Sequence, residues 1–333
     1  MRLPPLADLI ADMHVVALPL VMPFRGVNLR EVALLPGPSG WGEFGPFLEY
    51  GPQESARWLA AAIEAAYGTW PEPVRTAIPV NATVPAVDAG AVFAVLDRYD
   101  GCTTAKVKVA QRGQSLSDDL DRVAAVRDVL GPGGRIRIDA NGAWDVDQAV
   151  HAIGALAAYG LEYAEQPCAS TPDLAQVRVA LARAGIDVPI AADESIRKAA
   201  DPLEVARRQA ADLVVVKVAP LGGVRTALEI VADTGLPAVV SSAIDSSVGI
   251  RAGVALAAAL PALPYACGLG TVELLTADVA DVPLVPRAGA LPVGAVDVST
   301  RLVLRHSASS ERVAWWRERM AAAYAVLAAR PGP

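Results

Sequence analysis

Cysteine is scarce in this chain. Its 333 residues include three, Cys102, Cys168 and Cys267, widely spaced and never paired as CxxC, so neither a disulfide framework nor a cysteine-based zinc site is expected. That usage predicts a reducing, cytoplasmic setting. Positive charge is also short: 29 Lys and Arg against 36 Asp and Glu leave a net charge of −7. A chain so poor in clustered cations predicts no nucleic-acid partner and no anionic membrane surface, and leaves a small molecule as the expected ligand. Long apolar runs are missing as well. Met1 to Ile10 has no basic region ahead of an apolar stretch, and the Ala-rich run Ala252 to Ala259 stops at Pro261, so no targeting or spanning segment is expected. Finally, no GxGxxG follows any candidate strand, which counts against an open, doubly wound dinucleotide-binding sheet.

What is present is a strand that recurs with a polar end. Arg135-Ile-Arg-Ile-Asp139 alternates so that Arg135, Arg137 and Asp139 share one face, and it runs through Ala140 into Asn141-Gly142. Similar short apolar strands, ending near Ala82, Val109, Asp139, Glu165, Asp193, Lys217, Ser241 and Leu269, alternate with amphipathic helices. Helix starts are marked by Ser117 before Asp118, Asp145 with Gln148, Thr171 before Pro172, and Asp201 with Pro202. Eight evenly spaced strands, five of them ending in a polar residue, predict a closed α/β barrel of TIM type over residues 78–275. Residues 1–77 read as α+β: strands broken by Pro and Gly, loops at Met22–Gly26 and Gly42–Gly51, and a helix at Pro52–Tyr67 with Trp58, Leu59, Ala62, Ile63 and Ala66 on one stripe. Residues 276–333, with a terminal helix at about Ser310 to Leu327, are expected to return to the N-terminal sheet, which needs a second layer.

The strand ends carry the chemistry. In Thr104-Ala-Lys-Val-Lys-Val109, Lys106 and Lys108 share a face opposite Val107 and Val109, and two ammonium groups inside a barrel need anions. Asp139, Glu165 and Asp193 supply them on the next strands, and Lys217 ends the one after. Three carboxylates converging at one mouth repel each other unless a cation binds them. With no His or Cys beside them, a hard ion such as Mg²⁺ is the expected occupant. The alternative is charge balance alone, through salt bridges to Arg137, Lys106, Lys108 and Lys217.

The set Lys106-Val-Lys108, Asp139-Ala-Asn141, Glu165-Gln-Pro167, Asp193-Glu-Ser195 and Lys217 resembles the muconate-lactonizing subgroup of the enolase superfamily. More closely, Pro79–Pro85, Glu165–Cys168, Ala191–Lys198, Lys217–Gly223 and Ala266–Gly270, with Phe24-Arg-Gly26 and Gly40–Phe44, resemble the actinobacterial o-succinylbenzoate synthase family. The resemblance implies a modified TIM-type barrel lacking one helix, under an α+β capping domain built from both chain ends. It implies Asp139, Glu165 and Asp193 as Mg²⁺ ligands, with Lys108 and Lys217 on opposite faces of a small carboxylate substrate. It further implies Lys106 supporting the metal-bound carboxylate, Asn141 behind the ligands, and substrate contacts from Ser241, Ser242, the backbone near Gly270, and the loop at Arg25.

The reaction implied is dehydration of 2-succinyl-6-hydroxy-2,4-cyclohexadiene-1-carboxylate to 2-succinylbenzoate in menaquinone biosynthesis, with Lys108 as a neutral base. A racemase or epimerase of the subgroup would use the same lysines. Cys267–Glu273 lacks the Asp-x-Asp that dipeptide epimerases carry, which leaves N-succinylamino acid racemisation as the alternative. A non-catalytic metal-dependent binding protein is the reading from another class, and the two intact lysines oppose it.

Overall fold

In the computed structural model the described residues are 3–24, 26–198 and 201–329. After α1 (Leu6–Ala11), three antiparallel strands, β1 (His14–Phe24), β2 (Val27–Gly37) and β3 (Gly40–Phe44), form the sheet of the capping domain. Along β1 the buried Val16, Leu18 and Leu20 alternate with Ala17, Pro19 and Val21, as a sheet wetted on one side requires. The apolar face packs on α2 (Pro52–Tyr67), whose stripe Trp58, Leu59, Ala62, Ile63 and Ala66 is buried throughout. Approach is close enough that a Cβ on Gly42 would stand 2.0 Å from the Ala62 carbonyl oxygen, so glycine alone fits there.

After β4 (Ala77–Pro79) begins a parallel sheet: β5 (Ala82–Val84), then α3 (Val92–Leu96), β6 (Thr104–Lys108), α4 (Leu116–Leu130), β7 (Arg135–Asp139), α5 (Val146–Leu156), β8 (Leu161–Glu165), α6 (Thr171–Arg183) and β9 (Ile190–Ala192). The short α7 (Glu194–Arg197) and α8 (Glu204–Arg207) lead to β10 (Leu213–Lys217), α9 (Val218–Leu221), α10 (Val224–Thr234), β11 (Ala238–Ser241) and α11 (Ser247–Ala259). Strands β5 to β11 neighbour one another in sequence order. The ring closes through two residues: Val80 bridges Cys267 and Ser241 bridges Gly268, both in parallel. The eighth strand expected near Leu269 is reduced to this pair of bridges, because Pro261 and Pro264 precede it and Gly268 and Gly270 interrupt it. A 3-10 turn, Gly270–Leu274, stands where an eighth helix would follow.

The chain then pairs β12 (Ala290–Pro292) with β4 before reaching α12 (Thr300–Arg305) and α13 (Ser310–Ala328). It returns to the first sheet through Ala17 N donating to His306 O at 2.8 Å and Ala308 N to Val15 O at 2.9 Å. Trp316 joins the capping core and its indole N–H donates to Glu31 at 3.0 Å. Two expected caps move by two residues and one residue. Ser115, not Ser117, forms the capping box with Asp118, and Ser170, not Thr171, caps α6, because an N-cap needs extended backbone and Ser117 and Thr171 are already helical. The Asp145–Gln148 capping box forms as read.

Candidate active site

The parallel register sets Lys108 beside Asp139, Asp139 beside Glu165, and Lys217 beside Ser241. Because side chains alternate, Lys106 and Lys108 point to the barrel interior while Val107 and Val109 pack in the surrounding core. Lys106 Nζ lies 2.9 Å from each Glu165 oxygen and 3.4 Å from Asp139 Oδ2. Lys108 Nζ pairs with Asp139, donates to Asn141 Oδ1 at 2.7 Å, and stands 5.6 Å from the Phe24 ring centre. Across the mouth, Asp193 is gripped by Lys217 and by Arg197, whose Nε donates to it at 3.0 Å. The salt-bridge pairing of the three carboxylates with Lys106, Lys108 and Lys217 is therefore present. Arg137 takes no part in it: its guanidinium bonds Glu162, Asn81 and the Ala266 carbonyl and lies 4.8 Å from the Tyr163 ring centre.

The electrostatics are uneven. Burial opposes ionisation of Asp139 and Asp193, yet Lys108 and Lys106 hold the first, and Lys217 and Arg197 the second, below the usual carboxylate range. Glu165 goes the other way: burial and the charges of Asp139 and Asp193 outweigh Lys106 and push it up to about 7. Burial opposes the Lys106 ammonium too, but Glu165 and Asp139 raise it overall, whereas at Lys217 burial prevails over Asp193 and lowers it. Among the described residues no three His, Cys, Asp or Glu side chains are so oriented that they grip an ion as they stand. The donor chemistry nonetheless suits a hard cation: three buried carboxylates on neighbouring strand ends raise the energy of the one with the fewest cations.

The rim is held by Asn141, expected behind the ligands, and by further residues that the strand pattern did not reveal. Ala110, Asn141 and Gln166, just past β6, β7 and β8, all have left-handed backbone, with φ of 58°, 49° and 40°. Such non-glycine positions persist where their surroundings hold them. Gln166 Oε1 accepts from Asp193 N at 2.9 Å and Ser195 N at 3.2 Å. Asn141 Nδ2 donates to Glu194 at 3.3 Å, and Arg197 Nη1 to the Tyr50 hydroxyl of the capping domain at 2.9 Å. Arg197 had one local signal, its i,i+4 spacing from Asp193.

Of the expected substrate contacts, Ser242 Oγ donates to Gly268 O at 2.7 Å and lies 2.7 Å from Thr271 Oγ1, while Ser241 Oγ is 3.5 Å from the same carbonyl. A Cβ on Gly270 would face Asn81, Tyr99 and Pro286, so this residue packs on the barrel wall. Arg25 lies outside the described residues. A cavity of 640 Å³, within the size range of ligand sites, opens beside Lys108 and is lined by Met22, Phe24, Arg112 and Asn141 among others.

A capping domain over a β/α barrel whose strand ends bear lysines and carboxylates defines a protein of the enolase superfamily. Residues 91–296 match the enolase C-terminal domain-like family and residues 15–66 the enolase N-terminal domain-like family. The crystal structure of muconate lactonizing enzyme from Pseudomonas fluorescens complexed with muconolactone superposes with a TM-score of 0.74 at 22% identity, covering 89% of this chain and 98% of that one. A substrate-liganded L-Ala-D/L-Glu epimerase from Bacillus subtilis gives 0.70 at 23% identity, over 86% of this chain and 96% of the other. These share the fold. The sequence relatives are much nearer: o-succinylbenzoate synthase of Thermobifida fusca (strain YX) is 57% identical over 95% of this chain and 98% of its own length. That of Mycobacterium leprae (strain TN) is 54% identical over 98% and 95%. The chain belongs to the o-succinylbenzoate synthase family of the enolase superfamily. Its activity is that of a hydro-lyase acting on a small carboxylate substrate. Among the described residues no helix is long and apolar enough to cross a membrane.

Proposed function

We propose that the chain dehydrates 2-succinyl-6-hydroxy-2,4-cyclohexadiene-1-carboxylate to 2-succinylbenzoate, a step of menaquinone biosynthesis, with Lys108 as the proton carrier. The observation that carries this reading is the arrangement of Lys108 and Lys217 on well-separated strand ends with the three carboxylates between them, and a cavity of 640 Å³ beside Lys108. Asp139, Glu165 and Asp193 would hold Mg²⁺, which when bound supplies Lewis-acid stabilisation of negative charge developing on the substrate carboxylate. Lys108, as the neutral amine, takes the proton from the carbon bearing that carboxylate. It then returns the proton to the hydroxyl on the neighbouring ring carbon, so that the C–O bond breaks on the same face and water leaves. The electron pair of the broken C–H bond becomes the last double bond of the aromatic ring.

Lys108 is held at the strand end by Asp139 and Asn141, which fix where its amine meets the substrate. Lys217 stays on the far face as a cation, orienting the ring without moving a proton. Lys106, between Glu165 and Asp139, offsets their charge, and Asn141 orients the Lys108 amine. Two lysines facing one carbon also suit proton exchange at that carbon, so N-succinylamino acids, which share the succinyl chain and an acidic C–H beside a carboxylate, are the secondary substrate class. The test is kcat/KM on the cyclohexadiene acid, on N-succinylamino acids and on free dipeptides with one preparation. Efficient dehydration, weak racemisation and no dipeptide epimerisation are expected. Far faster turnover of either alternative would sink the assignment.

A further inference from the structure

The segment between β11 and α11 follows Ser241, the last residue of the strand, begins at Ser242, and is not held by the barrel alone. Ile244 within it has left-handed backbone, φ 60°, which a β-branched residue keeps only under constraint. The constraint comes from the capping domain. Arg30, on β2 and 3% exposed, donates from Nε to the Ile244 carbonyl at 3.1 Å and from Nη2 to the Gly45 carbonyl, with its guanidinium 4.8 Å from the Phe47 ring centre. Glu43, on β3, reaches the start of α11. Its Oε2 accepts from Ser246 N at 3.1 Å, from the Ser246 hydroxyl, and from Gly249 N at 3.2 Å, where the helix leaves its N–H groups unpaired. Gly249 makes this approach feasible, since a Cβ there would stand 3.0 Å from the Glu43 carboxyl carbon and 2.7 Å from Asp245 Cβ. Asp245 closes the turn by accepting from Ala243 N at 3.1 Å. Glu43, Asp245 and Ser241 border one void of 20 Å³, so the clasp lies directly behind the strand end.

We propose that Arg30 and Glu43 are positioning residues for the reaction: from the capping domain they fix the turn after β11, and with it Ser241 and Ser242, the hydroxyls that the family resemblance assigns to substrate contact. Neither touches the lysines or the carboxylates described above. They act by setting the backbone of residues 242–246, so their loss misplaces these hydroxyls while the proton-transfer apparatus stays intact. The inference rests on the proposed function, in which the ring carboxylate goes to the Mg²⁺ ligands and the succinyl carboxylate is left to neutral donors such as Ser241 and Ser242.

The experiment uses the Mg²⁺-supplied full chain, with each variant shown to be folded by circular dichroism at the assay temperature. For Glu43→Ala and Arg30→Met, KM for the cyclohexadiene acid is expected to rise by about ten- to a hundredfold, with kcat much less affected. Affinity for 2-succinylbenzoate should fall more than affinity for benzoate. Glu43→Gln, which keeps one acceptor oxygen, and Arg30→Lys, which keeps charge but not the fork, should recover part of the loss. These conservative variants also carry the test if the truncations do not fold. Folded variants with lower thermal stability but wild-type KM and an unchanged preference for 2-succinylbenzoate would show the clasp to be structural only, and would overturn the proposal. Ser241→Ala and Ser242→Ala are measured alongside. An unchanged KM in both removes the hydroxyl contacts from the reading while leaving the clasp to be judged on its own variants.

Discussion

Replacing Lys106 by methionine tests the carboxylate site without relying on turnover. Lys106 is the only cation within ion-pair distance of Glu165 among the described residues, at 2.9 Å, whereas Asp139 keeps Lys108 and Asp193 keeps both Lys217 and Arg197. The substitution keeps the volume of the stem and leaves one buried carboxylate unpaired. Breaking a buried pair from one side costs about 3–5 kcal/mol. At about 2 °C per kcal/mol for a chain of this size, the unfolding midpoint in chelator should fall by roughly 6–10 °C. A divalent ion can then take over the role of the missing ammonium. At a hundredfold excess over its dissociation constant, Mg²⁺ should return about 2.7 kcal/mol to the variant. In the wild type the ion competes with Lys106 for the same oxygens, so the gain there should be smaller. Thermal melts of both proteins in chelator and in a Mg²⁺ titration decide the matter. Equal melting points in chelator, or a variant that Mg²⁺ does not stabilise beyond the wild type, would refute the view that these carboxylates form a cation site.

Asp139→Asn, Glu165→Gln and Asp193→Asn should each lose most Mg²⁺-restored turnover after chelation, since each removes one anionic donor; full activity in all three would dismiss the metal assignment. Lys108→Ala should abolish both dehydration and exchange of the substrate's acidic hydrogen with solvent, whereas Lys217→Ala should slow dehydration severely yet leave exchange from the Lys108 face measurable. The assay is proton NMR in heavy water, and normal dehydration by Lys108→Ala would remove the proposed base. Burial and Asp245 push Glu43 up to about 8 against the pull of Arg30 and Ser246, with Asp278 adding to the rise. A carboxyl raised on folding contributes stability that is complete below its ordinary range and is lost as pH rises through about 8. Wild-type unfolding midpoints should therefore drop more between neutral pH and pH above this value than those of Glu43→Gln; parallel pH profiles would contradict the assignment of that proton to Glu43.

Local chemistry decided a good deal of this protein before any folding. Period-two alternation put Lys106 with Lys108 and set their valine neighbours on the other face, and helical spacing marked Trp58, Leu59, Ala62, Ile63 and Ala66 as one buried stripe. Both depend only on backbone geometry and the cost of wetting apolar surface, which neighbouring residues settle among themselves. Parallel pairing then carries Lys108, Asp139 and Glu165 to one rim, because each strand end is set by register with the strand beside it. Only the tertiary structure decided which charges meet. Arg137, alternating onto the same face as Asp139, pairs with Glu162 instead, while Arg197 on a four-residue helix reaches Asp193. Ser241 and Ser242 turn out to share the Gly268 carbonyl across the closing bridge, 27 and 26 residues away. Arg30 meets Ile244 across 214 residues and Glu43 meets Ser246 across 203. No local pattern encodes such pairs, since their energy comes from desolvated charges and strained turns that exist only once the capping domain has docked on the barrel.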